Sequence, residues 1–221
     1  KSSRLSKKTG GNTKQADTGE VASASKWLSL VLFAAVGILL FYPPFYRGVF
    51  FGREVFVTHT LTALVFILSW VNKIKQRDYR WLQSPLDWAV AAYAAAYLLS
   101  VIGAVHMGEA VYGFLRALNY FMVYCLVNSV VKDYRDHENI LRILLASAFL
   151  VAVIGILAAL GYYNYPSAFE NGVIYSTLQY PNTLGAYLAA LSLIGIALWI
   201  REKRFIGRLI YAMAVYCLLV V

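Results

Sequence analysis

The sequence predicts an all-α protein built as a polytopic bundle of transmembrane helices, and three observations carry this prediction. Of the 221 residues, 60% are hydrophobic and only 14% are charged, whereas a soluble domain is nearer half apolar and a quarter charged. Uninterrupted apolar runs of about 18 to 20 residues recur along the chain, and this length crosses a bilayer. The charged residues are concentrated between these runs. A soluble fold would have to bury all of the runs, so this class is disfavoured.

The chain divides into a polar tail and an apolar remainder. Residues 1–25 are rich in Ser, Thr, Gly and Lys with almost no large apolar side chain, so we expect a disordered basic tail. Residues 26–221 form the predicted transmembrane domain. Because the chain begins with lysine and ends inside an apolar run, we expect it to be a fragment, with six complete spans and a truncated seventh. The spans are predicted at residues 27–41, 55–71, 88–105, 111–131, 140–160, 183–200 and 209–221.

Local chemistry supports helices as the spanning elements. A lone strand would leave backbone groups unpaired in hydrocarbon, and the alternation typical of a barrel strand is absent. The first span lacks a small-residue cleavage pattern, so we interpret it as an uncleaved span rather than a signal peptide. Ser84, Pro85 and Asp87 supply a capping hydroxyl, a proline at the first helical position and a carboxylate in the first turn. These residues predict that the third helix begins near Ser84.

The distribution of basic residues predicts the orientation. Alternate connections, counted from the tail, hold 17 Lys and Arg residues, whereas the other connections hold only Arg47 and Arg53. By the positive-inside rule this places the amino terminus in the cytoplasm. The net charge of +9 is therefore a topology signal, and we expect no nucleic-acid partner.

Cysteine and histidine give little sign of redox or metal chemistry. Cys125 and Cys217 each lie inside an apolar run, so they predict small buried side chains rather than a disulfide framework or a metal cluster. His59 and His106 have no partner at metal-ligand spacing, and we expect neither a metal nor a cofactor. For His59 a packing role is favoured over catalysis, while His106 is open between a surface residue and an acid or base.

Arg116 is the most informative single residue, because a charge within a membrane span is expensive unless it is paired, hydrated or able to reach the interface. We place it about one turn into the fourth span from its external end. The helical spacing of three and four puts Tyr112, Arg116, Asn119 and Tyr120 on one face. This stripe predicts an anion ligand near the external surface. The alternative is a structural arginine that snorkels or pairs with Glu109.

A second candidate region is the external segment 161–182. It is rich in Tyr, with Asn164 and Gln179, and such side chains suit neutral sugars but are also ordinary interfacial anchors. The sixth span then opens at Pro181 and Asn182, where free backbone N–H groups and the helix dipole favour an anion. We expect this helix start and Arg116 to share one anion. Arg47 and Arg53 flank the first external turn and either guide anionic headgroups or anchor the turn.

Residues 175–188, YSTLQYPNTLGAYL, resemble the signature of the O-antigen ligase and polymerase family of membrane glycosyltransferases. The residues Tyr46-Arg47-Gly48 and Ser84-Pro85-Leu86-Asp87 are similar to further stretches of that family. The resemblance implies ten to twelve spans and transfer of a polysaccharide from an undecaprenyl-pyrophosphate carrier to an acceptor, on the external face of the bacterial cell membrane and without a metal. It implies that Arg116 binds the pyrophosphate and that residues 177–182 form part of the donor cavity. Together with the polar stripe of the fourth span and the first external turn, this predicts a substrate-binding set of Arg47, Arg116, Asn119, Tyr120, Thr177, Gln179 and Asn182.

Two departures from the family pattern affect the site. An arginine often precedes the Ser/Gly-Thr element in the family, and Val173 stands near that place here. The late external loop that carries the family's essential His and Arg is not within these residues, so the catalytic residues are expected in the part of the protein beyond them. The alternatives to a glycosyltransferase are a transporter or flippase, in which the polar stripe lines a path, and a non-catalytic assembly subunit. The expected partners are the lipid-linked donor and membrane lipid.

Overall fold

The computed structural model describes residues 12–78 and 82–221, with side chains from Trp27 onward. Within these residues the chain is mostly helical, as the sequence predicts, with one small hairpin and three short 3-10 turns. Of the tail predicted to be disordered at residues 1–25, residues 1–11 lie outside the described residues and residues 12–25 belong to the first helix. The α-helices are α1 Asn12–Phe41, α2 Gly52–Lys75, α3 Pro85–Ser100, α4 Met107–Val130, α5 Tyr134–Ala159, α6 Pro181–Arg201 and α7 Phe205–Val220.

Five helical segments in the described residues are long and apolar enough to cross a membrane. They agree with the first, second, fourth, fifth and sixth predicted spans, and their mean hydropathies run from 1.4 to 2.7. Side chains that would face lipid are large and apolar, for example Leu64 and Ile67 on α2. The chain is therefore a membrane-embedded helical protein. The five segments are Trp27–Phe45, Gly52–Lys75, Met107–Val130, Tyr134–Ala159 and Pro181–Arg201.

The helices at the third predicted span and at the truncated seventh are shorter than a full membrane span. Helices α3 and α7 have 16 residues each, about 24 Å at 1.5 Å per residue, against a hydrocarbon core of about 30 Å. Helix α3 ends at Ser100, although the prediction ran to residue 105. There the N–H groups of Val101 and Ile102 bond to carbonyls three residues back, which tightens and ends the helix before Gly103. The predicted count of six complete spans and a truncated seventh is therefore not confirmed.

The predicted start of α3 is confirmed in detail. The Asp87 N–H donates to Ser84 Oγ at 3.1 Å, and the Ser84 N–H donates to Asp87 Oδ2 at 2.8 Å. Pro85 occupies the first turn, where no N–H is needed. Helix α6 likewise begins at a proline, Pro181. The local residues thus determine where both helices begin.

Two apolar cores hold the bundle together. One lies among α5, α6 and α7, around Val151, Ala152 and Leu188. The other lies among α1, α4 and α5, around Val36 and Leu126. Helices α1, α2 and α3 all pack against α4, so α4 is the helix that these three have in common as a packing partner.

We name the two ends of the bundle by their connections. The turn end carries the 3-10 turns Pro43–Phe45, Arg47–Val49 and Ser176–Leu178. The basic end carries the connections α2–α3, α4–α5 and α6–α7. A hairpin of β1 Phe169–Glu170 and β2 Val173–Ile174 also lies at the turn end, and it is the one departure from the all-α prediction among the described residues.

Candidate functional site

Arg116 lies deeper in its helix than the sequence predicts. Because α4 begins at Met107, Arg116 is about 14 Å along the helix rather than one turn inside it. Its Nη2 atom donates to the Phe50 carbonyl oxygen at 2.5 Å, and its guanidinium carbon lies 5.5 Å from the centroid of the Phe50 ring. The Nε atom is buried without a hydrogen-bond partner. Arg116 is therefore held by the turn before α2, and no ion pair with Glu109 is formed.

Arg116 lines a cavity of about 390 Å³ between α1, α2, α4 and the Arg47–Val49 turn, which we call the Arg116 cavity. Most of the wall is apolar, and the polar groups are concentrated on the facing sides of α2 and α4. Two further polar atoms around it are buried without partners, Thr62 Oγ1 and Asn119 Oδ1. The lining residues are Leu39, Leu40, Pro43, Gly48, Val49, Val55, Thr58, Thr62, Arg116, Asn119, Tyr120, Val123 and Tyr124.

The charge of this cavity is positive. Its lining in the described chain contains one guanidinium and no carboxylate. Glu54 is buried and precedes Val55 of this wall, but it is not part of the wall. Its carboxylate lies 3.9 Å from Arg47 Nε and accepts a hydrogen bond from the Phe51 N–H. A cation without a carboxylate partner, beside a mostly apolar wall, favours a bound anion.

The buried face of α2 is polar, and sequence reasoning missed it. Nearly every buried residue of this helix carries a polar group, while its exposed face is apolar. Partners from other helices satisfy part of the face: the Tyr42 hydroxyl donates to Thr58 Oγ1 at 2.5 Å, and the Ser69 and Ser129 hydroxyls lie 3.1 Å apart. Its polar residues follow one another at spacings of three, four and seven, which place them on one helix face, and this pattern is visible in the sequence. The polar residues are Glu54, Thr58, Thr62, Ser69 and Asn72.

Four of the seven predicted substrate-binding residues lie at or beside the Arg116 cavity. Arg116, Asn119 and Tyr120 line it, and the Tyr120 side chain is also exposed. Arg47 lies in the turn whose next residues, Gly48 and Val49, form part of the wall. Arg47 itself is engaged with Glu54 and with the Phe51 ring, at 5.6 Å from its centroid.

The other three predicted residues lie elsewhere at the turn end. Thr177 is buried with an unpaired Oγ1 atom, and Gln179 Nε2 donates to the Pro166 carbonyl at 3.2 Å. Asn182 is exposed in the first turn of α6. In the described residues, neither the Ser176–Leu178 turn nor α6 contributes to the wall of the Arg116 cavity. The anion expected to be shared by Arg116 and the start of α6 is thus not supported by a common cavity.

Gly48 lies between the Arg116 cavity, which it lines, and the Ser176–Leu178 turn. It has φ +64°, and a Cβ atom there would lie 2.9 Å from Leu178 Cδ2. Its neighbours Arg47 and Val49, and also Gln179, have left-handed backbone angles as well. Strained backbone of this kind persists only where surrounding contacts enforce it, and it is concentrated at functional sites.

The histidines lie outside the cavity wall. The Nδ1 atom of His59 is buried without a partner, and the imidazole hydrogen-bonds to the Leu115 backbone. His106 is exposed and precedes the first turn of α4. The residues that the structure describes contain no cluster of metal-ligating side chains.

A second cavity, of about 470 Å³, lies at the basic end between α2, α3 and α4. Tyr124 lines both cavities, and its hydroxyl donates to Asp87 Oδ1 at 2.6 Å. Asp87 precedes the third predicted span. The Ser84 N–H, and then the Tyr124 hydroxyl, lower the pKa of Asp87 to about 2, so the carboxylate that anchors Tyr124 stays ionised at neutral pH.

Comparison of the chain with protein-family models, with curated proteins and with solved structures finds no match. The class that the fold defines is therefore a membrane-embedded helical protein with a cationic cavity. The resemblance to the O-antigen ligase and polymerase family remains a prediction from residues 175–188.

Proposed function

We propose that the chain belongs to a membrane glycosyltransferase, a ligase or polymerase that moves polysaccharide from an undecaprenyl-pyrophosphate carrier to an acceptor on the external face of the bacterial cell membrane. The observation that carries the proposal is Arg116, a guanidinium on a membrane helix that faces a cavity without a carboxylate in its described wall. The resemblance at residues 175–188 supplies the reaction class.

The electrostatics suit a diphosphate leaving group. Negative charge grows on the leaving oxygen as the glycosidic bond breaks, and a fixed cation beside a mostly apolar wall stabilises that charge. The Phe50 carbonyl and ring fix the guanidinium, while its Nε–H is free to donate to a phosphate oxygen. Arg116 would therefore bind the diphosphate and stabilise its departure.

The other residues of the proposed site suit two different parts of the donor, its lipid and its saccharide. Apolar wall residues such as Leu39, Val55 and Val123 suit the first isoprene units of a carrier lipid. Gln179 and Asn182 lie beyond Gly48 at the turn end, where uncharged hydrogen-bonding groups suit the saccharide rather than the phosphates. The base that activates the acceptor hydroxyl is expected outside these residues.

The test is the Arg116→Ala substitution in the complete polypeptide, read as polysaccharide transfer in cells with membrane insertion measured in parallel. We expect transfer to fall by about 10²- to 10³-fold, the usual effect of removing one group that stabilises a developing anion. Arg53→Ala is the matched control, because Arg53 is exposed and lines no part of the cavity. Wild-type transfer by Arg116→Ala would overturn the proposal.

A transporter or flippase for a lipid-linked or small polar substrate is the second candidate, and the polar buried face of α2 favours it. A polar face that runs along a membrane helix is typical of a translocation path, and Tyr124 lies between a cavity toward each end. Reconstituted vesicles distinguish the candidates. Movement of a lipid-linked saccharide between leaflets without transfer to an acceptor would favour transport.

A further inference from the structure

Three unpaired polar atoms surround the Arg116 cavity: Thr62 Oγ1, Asn119 Oδ1 and Arg116 Nε. Thr62 is the most informative of the three, since its exposed fraction is 0%. It lies ten residues into α2, about 15 Å from the helix start and near the middle of this 24-residue helix. Sequence reasoning did not assign it to any site.

A dry cavity does not fit these three atoms. Each buried donor or acceptor without a partner costs about 1–3 kcal/mol, and native proteins retain few such groups. The volume of about 390 Å³ corresponds to roughly 13 water molecules at about 30 Å³ each. The cavity is both polar enough and large enough to be hydrated.

The charge of the wall decides which solutes enter with the water. Arg116 is the only charged residue among the described lining residues. Its guanidinium is held from the turn end by Phe50, so an entering solute meets the positive charge before it reaches Thr62. Anions are attracted and cations are repelled.

We propose that the Arg116 cavity is a water-filled vestibule that admits phosphate-bearing anions from the turn end, and that Thr62 is a ligand in its wall. The inference deepens the proposed function by giving the site an aqueous route and a further ligand. Its tests measure labelling and not glycosyl transfer, so failure of one proposal is distinguishable from failure of the other.

The experiment compares two neighbouring cysteines at one depth of α2, in the full chain with Cys125 and Cys217 replaced by alanine. Thr62→Cys points into the cavity, while Leu61→Cys lies on the exposed apolar face. Each is treated with membrane-impermeant thiosulfonates that carry either a sulfonate or a trimethylammonium group. Only a hydrated thiol ionises and reacts.

We expect Thr62→Cys to react while Leu61→Cys does not, and we expect the anionic reagent to react roughly tenfold faster than the cationic one. Arg116→Gln should remove this preference and Arg116→Lys should keep it. Val123→Cys, which lines the same cavity, serves as a second reporter if Thr62→Cys does not fold. Two unreactive cavity cysteines, or equal rates for both reagents, would overturn the proposal.

Protection of Thr62→Cys identifies the source of the phosphate. Slower labelling in the presence of inorganic pyrophosphate supports a free anion. Slower labelling in phosphatidylcholine vesicles that contain a polyprenyl phosphate supports a lipid headgroup. Protection by neither overturns the assignment to phosphate-bearing anions.

Discussion

Replacing Thr62 by valine separates a hydrated cavity from a dry one by the sign of its effect on stability. Valine has nearly the shape of threonine without the hydroxyl, and Thr62 Oγ1 has no partner within the protein. In a dry cavity the substitution removes an unsatisfied group, so it would stabilise the fold by about 1–3 kcal/mol. In a hydrated cavity the hydroxyl already bonds to water, and replacing it by a methyl group changes stability by about 0–1 kcal/mol in the unfavourable direction.

We expect the second result. The measurement is thermal unfolding in detergent micelles followed by circular dichroism, where 1 kcal/mol shifts Tm by roughly 2–4 °C for a chain of this size. Thr60→Val is the control, since Thr60 lies on the exposed face of α2 and its hydroxyl donates to the Phe56 carbonyl at 2.9 Å. If Thr62→Val raises Tm by several degrees relative to wild type while Thr60→Val does not, the reasoning about hydration is wrong.

Two further predictions concern the fold. Ser84→Ala should destabilise the protein by about 1 kcal/mol, because the Asp87 N–H loses its acceptor at the start of α3; an unchanged Tm would contradict this. Gly155→Ala should destabilise by about 1–3 kcal/mol, since a Cβ atom there would lie 2.8 Å from Ile174 Cγ2. Gly185→Ala is its control, with nothing within 4 Å of the new atom, and should be neutral or stabilising.

Local chemistry predicted the helix boundaries where capping residues are present. Ser84 and Pro181 mark the starts of α3 and α6 because the signals act within one turn and need no other part of the chain. The end of α3 was not predicted, because the apolar run continues through Ile102 and Val105 while the backbone has already tightened at Ser100. Hydropathy reports whether residues tolerate lipid, and it does not report where helical hydrogen bonds stop.

The hairpin had a readable signal that was not used. Asn171 and Gly172 form its two-residue loop, and both have positive φ, 51° and 79°. Asn-Gly is the strongest short-range hairpin signal. The two strands are only two residues long, so hydrophobic alternation could not reveal them.

Half of the candidate site could be predicted from helical spacing. Arg116, Asn119 and Tyr120 reach one cavity because positions three and four apart share a helix face. The resemblance at residues 175–188 adds Thr177 and Gln179 to the same predicted site. In the structure Gly48 lies in the cavity wall and next to Leu178, while Thr177 and Gln179 line no part of that wall. This tertiary arrangement is not encoded by a local pattern.

The polar side of α2 has a consequence for how the protein is made. Synthesis releases α2 well before α4, whose Ser129 later meets Ser69. Until then α1 covers part of that side, through the Tyr42 contact with Thr58. A chain that ended before α4 would therefore leave the Ser69 hydroxyl without its Ser129 partner, so the polar side of α2 is fully covered only after α4 has been made.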